Sequence, residues 1–149
     1  MNKKKGTTLI EIIIVLSILT VLSSMAIRNY YCIYNTVSNN FSVDMCSNSI
    51  LHIINDSKQY CKSKNKSGYL VFDCIKSIEF YCGGNMVRSY TVPEGFMLKP
   101  LNSKGGSQII HIDNFGNTGD ACTICYADIT GENHPITLRV GTNYVQIKQ

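Results

Sequence analysis

The chain has 149 residues, 44% of them hydrophobic, enough to bury one core and so at most one globular domain. Its formal charge of +4 suggests a polyanion partner only until the charges are located: Lys3, Lys4 and Lys5 supply three of them, leaving eleven basic residues against ten acidic ones beyond residue 6. A body that close to neutral offers no general electrostatic case for nucleic acid.

Leu9 to Ile27 is nearly continuously apolar, interrupted by Glu11 and by the small hydroxyls Ser17, Thr20, Ser23 and Ser24. As a helix these residues rise about 28 Å, close to the hydrocarbon thickness of a bilayer. Lysines just before the run hold the N-terminus on the cytoplasmic side. The segment therefore enters a membrane, and three readings compete. Ser24-Met25-Ala26 offers the small-x-small pattern of a secretory signal cleaved after Ala26. A plain signal anchor is the second. Against both stands Glu11, a carboxylate two residues into the apolar run, where an intramembrane charge marks a functional site by default.

The third reading rests on Lys3-Lys4-Lys5-Gly6-Thr7-Thr8-Leu9-Ile10-Glu11, which closely resembles the N-terminal signal of type IV pilins and type II secretion pseudopilins. The resemblance implies a short basic leader ending at Gly6, cleavage by a membrane prepilin peptidase, and a new N-terminus at Thr7, which the same enzyme methylates. It makes Glu11 the fifth mature residue, the family's intramembrane carboxylate. Thr7 stands where that family usually has Phe. Glu11 can then pair with the N-terminal amine of a neighbouring subunit, relieving two costly charges together and setting the register of assembly.

Past Ile27 the apolar positions Tyr30 or Tyr31, Tyr34, Val37, Phe41, Met45, Ile50, Leu51 and Ile54 recur at three- and four-residue steps. They predict an amphipathic continuation, residues 28–57, laying one face on a globular domain at 58–149. No glycine or proline interrupts the stretch from Thr7 to Ser67. Lys58 to Gly68 reads as a Lys-rich solvated turn. Short alternating runs follow, with Tyr69–Phe72, Ser77–Tyr81, Met86–Val92 and Phe96–Leu98 in one group. Ser107–Asp113, Thr123–Asp128, Ile136–Val140 and Tyr144–Lys148 form a second. Ile110, Ile112, Ile124, Ile129, Ile136, Leu138, Val140, Val145 and Ile147 alternate with polar neighbours, as half-buried antiparallel strands do. The fold class is α+β: a long N-terminal helix, residues 7–27 for membrane and filament core and 28–57 amphipathic, on a C-terminal antiparallel β domain.

The run Ile110-His111-Ile112-Asp113-Asn114-Phe115-Gly116-Asn117, with the strands after it to Lys148, resembles the C-terminal region of GspH/FimT-type minor pseudopilins. Taken with the leader, the resemblance implies a structural subunit, minor in its filament, of a type IV pilus or of a type II secretion or competence pseudopilus. Its implied partners are the prepilin peptidase/methylase, other pilins through the helix, and a membrane assembly platform with its ATPase. Its implied place is the cytoplasmic membrane, single-pass with the globular domain outside, and then the surface filament.

Catalytic chemistry is not legible. His52, His111 and His134 are dispersed, there is no phosphate loop, and Asp113, Asp120 and Asp128 lack calcium-loop spacing. Cys122 and Cys125 form a CxxC, but in an expected strand, where residues three apart face opposite ways. A disulfide to another cysteine, or free thiols, is the expectation there, with no metal, no cofactor and no enzymatic role. Seven cysteines (Cys32, Cys46, Cys61, Cys74, Cys82, Cys122 and Cys125) leave at least one thiol over, and any six allow fifteen connectivities. A reducing habitat with free buried thiols is the alternative. A rival binding role, for DNA or a surface, would use Lys99, Lys104, Arg139 and Lys148 as a small basic face.

Overall fold

The computed structural model describes residues 8–73, 75–103, 106–119, 121–139 and, for the backbone alone, 145–147. Gly6, Thr7, Cys74, Lys104, Asp120, Val140 and Lys148 lie outside the described residues, as do the side chains of Val145 and Ile147. The architecture is α+β, one long helix followed by antiparallel sheets. The chain divides into two compact units, Met1–Ser38 and Asn39–Gln149.

Helix α1, Leu9–Lys64, runs through the first unit from Leu9 and opens the second. In the first unit the described residues are helical but for Thr8, and the apolar side chains are exposed, Ile14 at 52% and Leu22 at 58%. Its hydroxyls are satisfied locally: Ser17, Thr20 and Ser24 donate to the carbonyls of Ile14, Ser17 and Val21 at 2.7–2.8 Å. Such back-bonding removes most of the cost of a hydroxyl in a surface that water does not wet.

In the second unit the helix buries Asn39, Cys46, Ser47, Ile50, Ile53, Ile54, Ser57, Lys58 and Cys61. This differs from the expected face, because Phe41 and Met45 point outward and remain more than half exposed. The buried row includes polar side chains, which periodicity of apolar residues cannot see. They tolerate burial because they find partners there: Asn39 donates to Asp128 at 2.7 Å, Ser47 contacts the Tyr126 hydroxyl at 2.6 Å, and Ser57 donates to Ile53 O at 2.6 Å.

The helix also ends later than residue 57. Lysine and glutamine are good helix formers, and Lys58 and Cys61 extend the buried row, so the expected turn is helical as far as Lys64. It stops at Asn65, whose φ of 51° places it in the left-handed region. Asn65 N–H bonds Lys62 O at 3.3 Å and Lys66 N–H bonds Cys61 O at 3.1 Å, the paired closure of a Schellman cap.

Among the described residues nine strands follow: β1 Gly68–Phe72, β2 Ser77–Cys82, β3 Asn85–Thr91, β4 Met97–Leu98, β5 Asn102–Ser103, β6 Ile109–Ile112, β7 Cys122–Ala127, β8 Asn133–Leu138 and β9 Val145–Ile147. They form two antiparallel sheets, one in the order β3-β2-β1-β6, the other β4-β7-β8-β9 with β5 also on β7. Chain order had grouped β4 with the first three strands and β6 with the last. The structure exchanges them: β6 returns to β1 in the register Tyr69↔His111, while β4 pairs with β7 as Leu98↔Tyr126. Pro135 sits inside β8 rather than in a turn. It faces Cys125 of β7, in the register that runs from Cys122↔Leu138 to Ala127↔Asn133.

One core joins helix and sheets. Ile50, Ile53 and Ile54 meet Leu70, Ile78, Phe80, Ile110 and Ile112 from one sheet and Leu98, Ile124, Tyr126, Ile136 and Leu138 from the other. Ile129, expected among the inward residues, is exposed because β7 ends at Ala127 and Asp128 takes the next buried place.

Candidate functional site

The N-terminal site is built on the first turn of α1. Thr8 caps the helix, its carbonyl accepting from Glu11 N–H at 3.1 Å. The Glu11 carboxylate reaches back to Thr8 N–H at 2.8 Å. Thr8-x-x-Glu11 is thus a capping-box sequence, readable from the residues and missed when Glu11 was considered only as an intramembrane charge. The acidic group also stands at the positive end of the helix dipole. Glu11 is therefore held at the start of the apolar helix, with its carboxylate already partnered by its own backbone. Gly6 and Thr7, the expected cleavage pair, lie outside the described residues.

A second concentration of polar chemistry joins the β7–β8 turn to the helix. Asp128, 4% exposed, accepts through Oδ1 from Thr130 N–H at 2.8 Å, Thr130 Oγ1 at 2.7 Å and Glu132 N–H at 3.0 Å, and through Oδ2 from Asn39 Nδ2 at 2.7 Å. Burial opposes its ionisation, yet these four donors hold its carboxyl well below the usual carboxylate range. His134 Nε2 lies 3.4 Å from the same Oδ2, and its ring stacks on Tyr126 at 5.1 Å. Tyr126 donates to Val43 O at 2.9 Å, leaving its oxygen to accept from Ser47. Burial, the largest effect, pushes the Tyr126 phenol up to about 12.

Asp128, Glu132 and His134 offer ligand atoms within 4.8 Å of one another, a grouping that could hold a metal among the described residues. The donor set argues for architecture instead. Both Asp128 oxygens are occupied by turn and helix donors, and Glu132 is exposed. Sequence reading missed the whole network because residues 39, 47, 126, 128 and 134 are far apart in the chain; only the Asp128-x-Thr130 turn signal was available.

Asp113 organises the other loop against the helix. Its carboxylate accepts from Phe115 N–H at 2.9 Å and Asn117 N–H at 2.7 Å, and Gly116, φ 84°, comes so close that a Cβ would lie 2.9 Å from Lys58 O. Hydrogen bonds from Asn117, outweighing burial, hold Asp113 below its ordinary value. Lys58, buried under this loop, has its pKa lowered by desolvation.

The remaining expected site residues are not brought together. Cys122 is buried and Cys125 half-buried, on opposite faces of β7. Lys99 and Arg139 are exposed, while Lys104 and Lys148 of the same proposed basic face lie outside the described residues. His52, His111 and His134 belong to different elements, α1, β6 and β8.

Fold and site together define an α+β chain whose first helix is long and apolar enough to cross a membrane and carries an acidic group in its first turn. Residues 1–27 match the family described as the prokaryotic N-terminal methylation motif, which supports the resemblance to type IV pilin-like precursors. The match and the exposed apolar helix are consistent with membrane anchoring. No curated protein and no solved structure matches the chain.

Proposed function

We propose that the chain is a structural subunit, minor in its filament, of a type IV pilus or of a type II secretion or competence pseudopilus. The observation that carries this reading is the methylation motif at residues 1–27, continuous with an apolar helix whose side chains the first unit leaves exposed. Prepilin peptidase/methylase cuts after Gly6 and methylates Thr7. The lysines keep the leader cytoplasmic, and the globular unit lies on the other side of the membrane. The helix then leaves the bilayer for a filament core made by other subunits on a membrane platform. The minor assignment follows the resemblance of the C-terminal region to GspH/FimT-type pseudopilins. The role is structural rather than catalytic.

Glu11 acts in both states. In the free subunit its cap on Thr8 N–H lowers the cost of a charge near hydrocarbon, about 3 kcal/mol at mid-bilayer. In the filament it accepts the α-amine of a neighbouring Thr7, a stronger, charge-assisted partner. Mass determination of the mature N-terminus tests the processing: the expected species begins at Thr7 and carries one added methyl. Intact Met1, or a chain starting at Ile27, would sink the proposal. Glu11→Val is expected to be cleaved normally and lost from sheared filaments.

A further inference from the structure

Two cysteines that no functional role absorbs meet inside the second unit. Cys61 lies in the last turns of α1 and is fully buried; Cys82 ends β2 and is 8% exposed. The Cys61 sulfur lies against Gly68, the residue that Cys82 faces across β1 and β2. The approach is arranged by the backbone between them. Gly68 is the cross-strand partner of Cys82, and a Cβ there would stand 3.0 Å from Cys61 Sγ and 2.7 Å from Tyr81 O. Only a residue without a side chain lets the helix end bring its sulfur over β1 to β2. The Schellman cap at Asn65 turns the chain back toward β1 within a few residues, so the meeting is fixed by local geometry on both sides. Cys82 Sγ also sits 3.6 Å from Ser67 O, which orients it beside the same turn.

We propose that Cys61 and Cys82 form a disulfide that staples the end of the helix to the β3-β2-β1-β6 sheet. Cys82 is the entry point: it borders a surface hollow lined by Tyr60, Lys64, Lys66, Gly83 and Asn85, through which an oxidant can reach its sulfur. The Cys61 thiol, pushed up to about 11 by burial and by its Cys82 and Asp113 neighbours, stays protonated until that step. The Cys82 thiolate attacks a disulfide-bearing oxidant, either glutathione disulfide or a thiol–disulfide oxidoreductase, forming a mixed disulfide and releasing one oxidant thiol. Cys61 then gives up its proton and attacks the Cys82 sulfur, releasing the second. Two protein thiols are oxidised and one disulfide is reduced to two thiols. In the cell this step needs the oxidising side of the membrane, and to that extent it rests on the proposed placement of the globular unit.

The test uses the purified full-length wild-type chain in detergent, first reduced, then treated with glutathione disulfide. After an acid quench, the unfolded protein is alkylated and its peptides are mapped by mass. The expected product is a cross-linked peptide pair containing Cys61 and Cys82, abolished in Cys61→Ser and in Cys82→Ser. Exposed Cys32 serves as an internal control, since it takes up glutathione under the same conditions. Glutathionylated Cys32 beside alkylated Cys61 and Cys82, or a bond from either to a third cysteine, would overturn the pairing. The mapping is done on the wild-type chain, so it does not depend on any variant folding. A bond that forms in the purified protein but is absent from chains acid-trapped out of cells supports the pairing and counts against the extracytoplasmic placement.

Discussion

Isoleucine, leucine and valine do opposite things in the two units of this molecule. From Leu9 to Ser38 they stand exposed along a helix; from Asn39 onward Ile50, Ile54, Leu70, Ile124 and Leu138 are fully buried. The difference lies in patterning. In the second unit apolar residues alternate with polar ones in strands and recur on one helix face, so the chain can cover its own apolar surface. In the first unit they surround the helix, and those described stand exposed. A helix apolar on every side is consistent with membrane anchoring.

The sharpest way to break this contrast is to truncate one side chain in each unit. Phe80→Ala is expected to cost about 3–5 kcal/mol in the unfolding of the second unit, read by denaturant melts of the detergent-solubilised chain. Ile14→Ala should leave the same melt unchanged, and an equal loss from both would dissolve the distinction. Gly116→Ala comes next, at about 2 kcal/mol, because its φ of 84° disfavours a side chain and the added Cβ presses on Lys58 O.

Acid offers a gentler probe. Asp128 has a depressed carboxyl pKa, so its contribution is present above the ordinary carboxylate value of about 3.9 and is lost as pH falls below it. Melts of the wild type should weaken from about pH 5 downward. Asp128→Asn should start lower and fall less steeply, and parallel curves would remove Asp128 from the account. Alkali acts on the reduced chain in the other sense. The raised Cys61 pKa favours the fold below the free-thiol value of about 8.5, and that contribution fades as pH climbs toward about 11. The oxidised chain should not show this loss. At the small end, Arg88→Ala removes an ion pair to Asp56 whose side chains are 59% and 38% exposed, and no more than about 1 kcal/mol should follow.

How much of this was legible beforehand depends on the range of the interaction. The helix and the strand-rich remainder were readable because an apolar run without breakers and period-two alternation are local signals. The end of α1 was misplaced for a local reason too: lysines were read as solvated turn, although their helix propensity is good and Cys61 extends the buried row. What could not be read was long-range. Nothing near Asn39 announces Asp128, nothing near Ser47 announces Tyr126, and the exchange of β4 and β6 between sheets is a matter of pairing between strands far apart in the chain. The Thr8–Glu11 cap was readable, but the assembly role expected of Glu11 hid the ordinary one.

That exchange of strands has a consequence for how the second unit can come into being. Emerging in order, β1 lacks its outer neighbour until Ile112 has appeared, and by then β4 is already out and awaiting β7. The two sheets are interleaved along the chain: the first can close once β6 is out, while the second, begun at β4, must wait for β7, β8 and β9. The core shared by helix and both sheets is complete only after that second closure, which favours a late, collective consolidation of the unit. A chain stopped just after Phe115 would hold one sheet, the helix face that packs on it and a lone β4, and its core should remain incomplete until the last strands arrive.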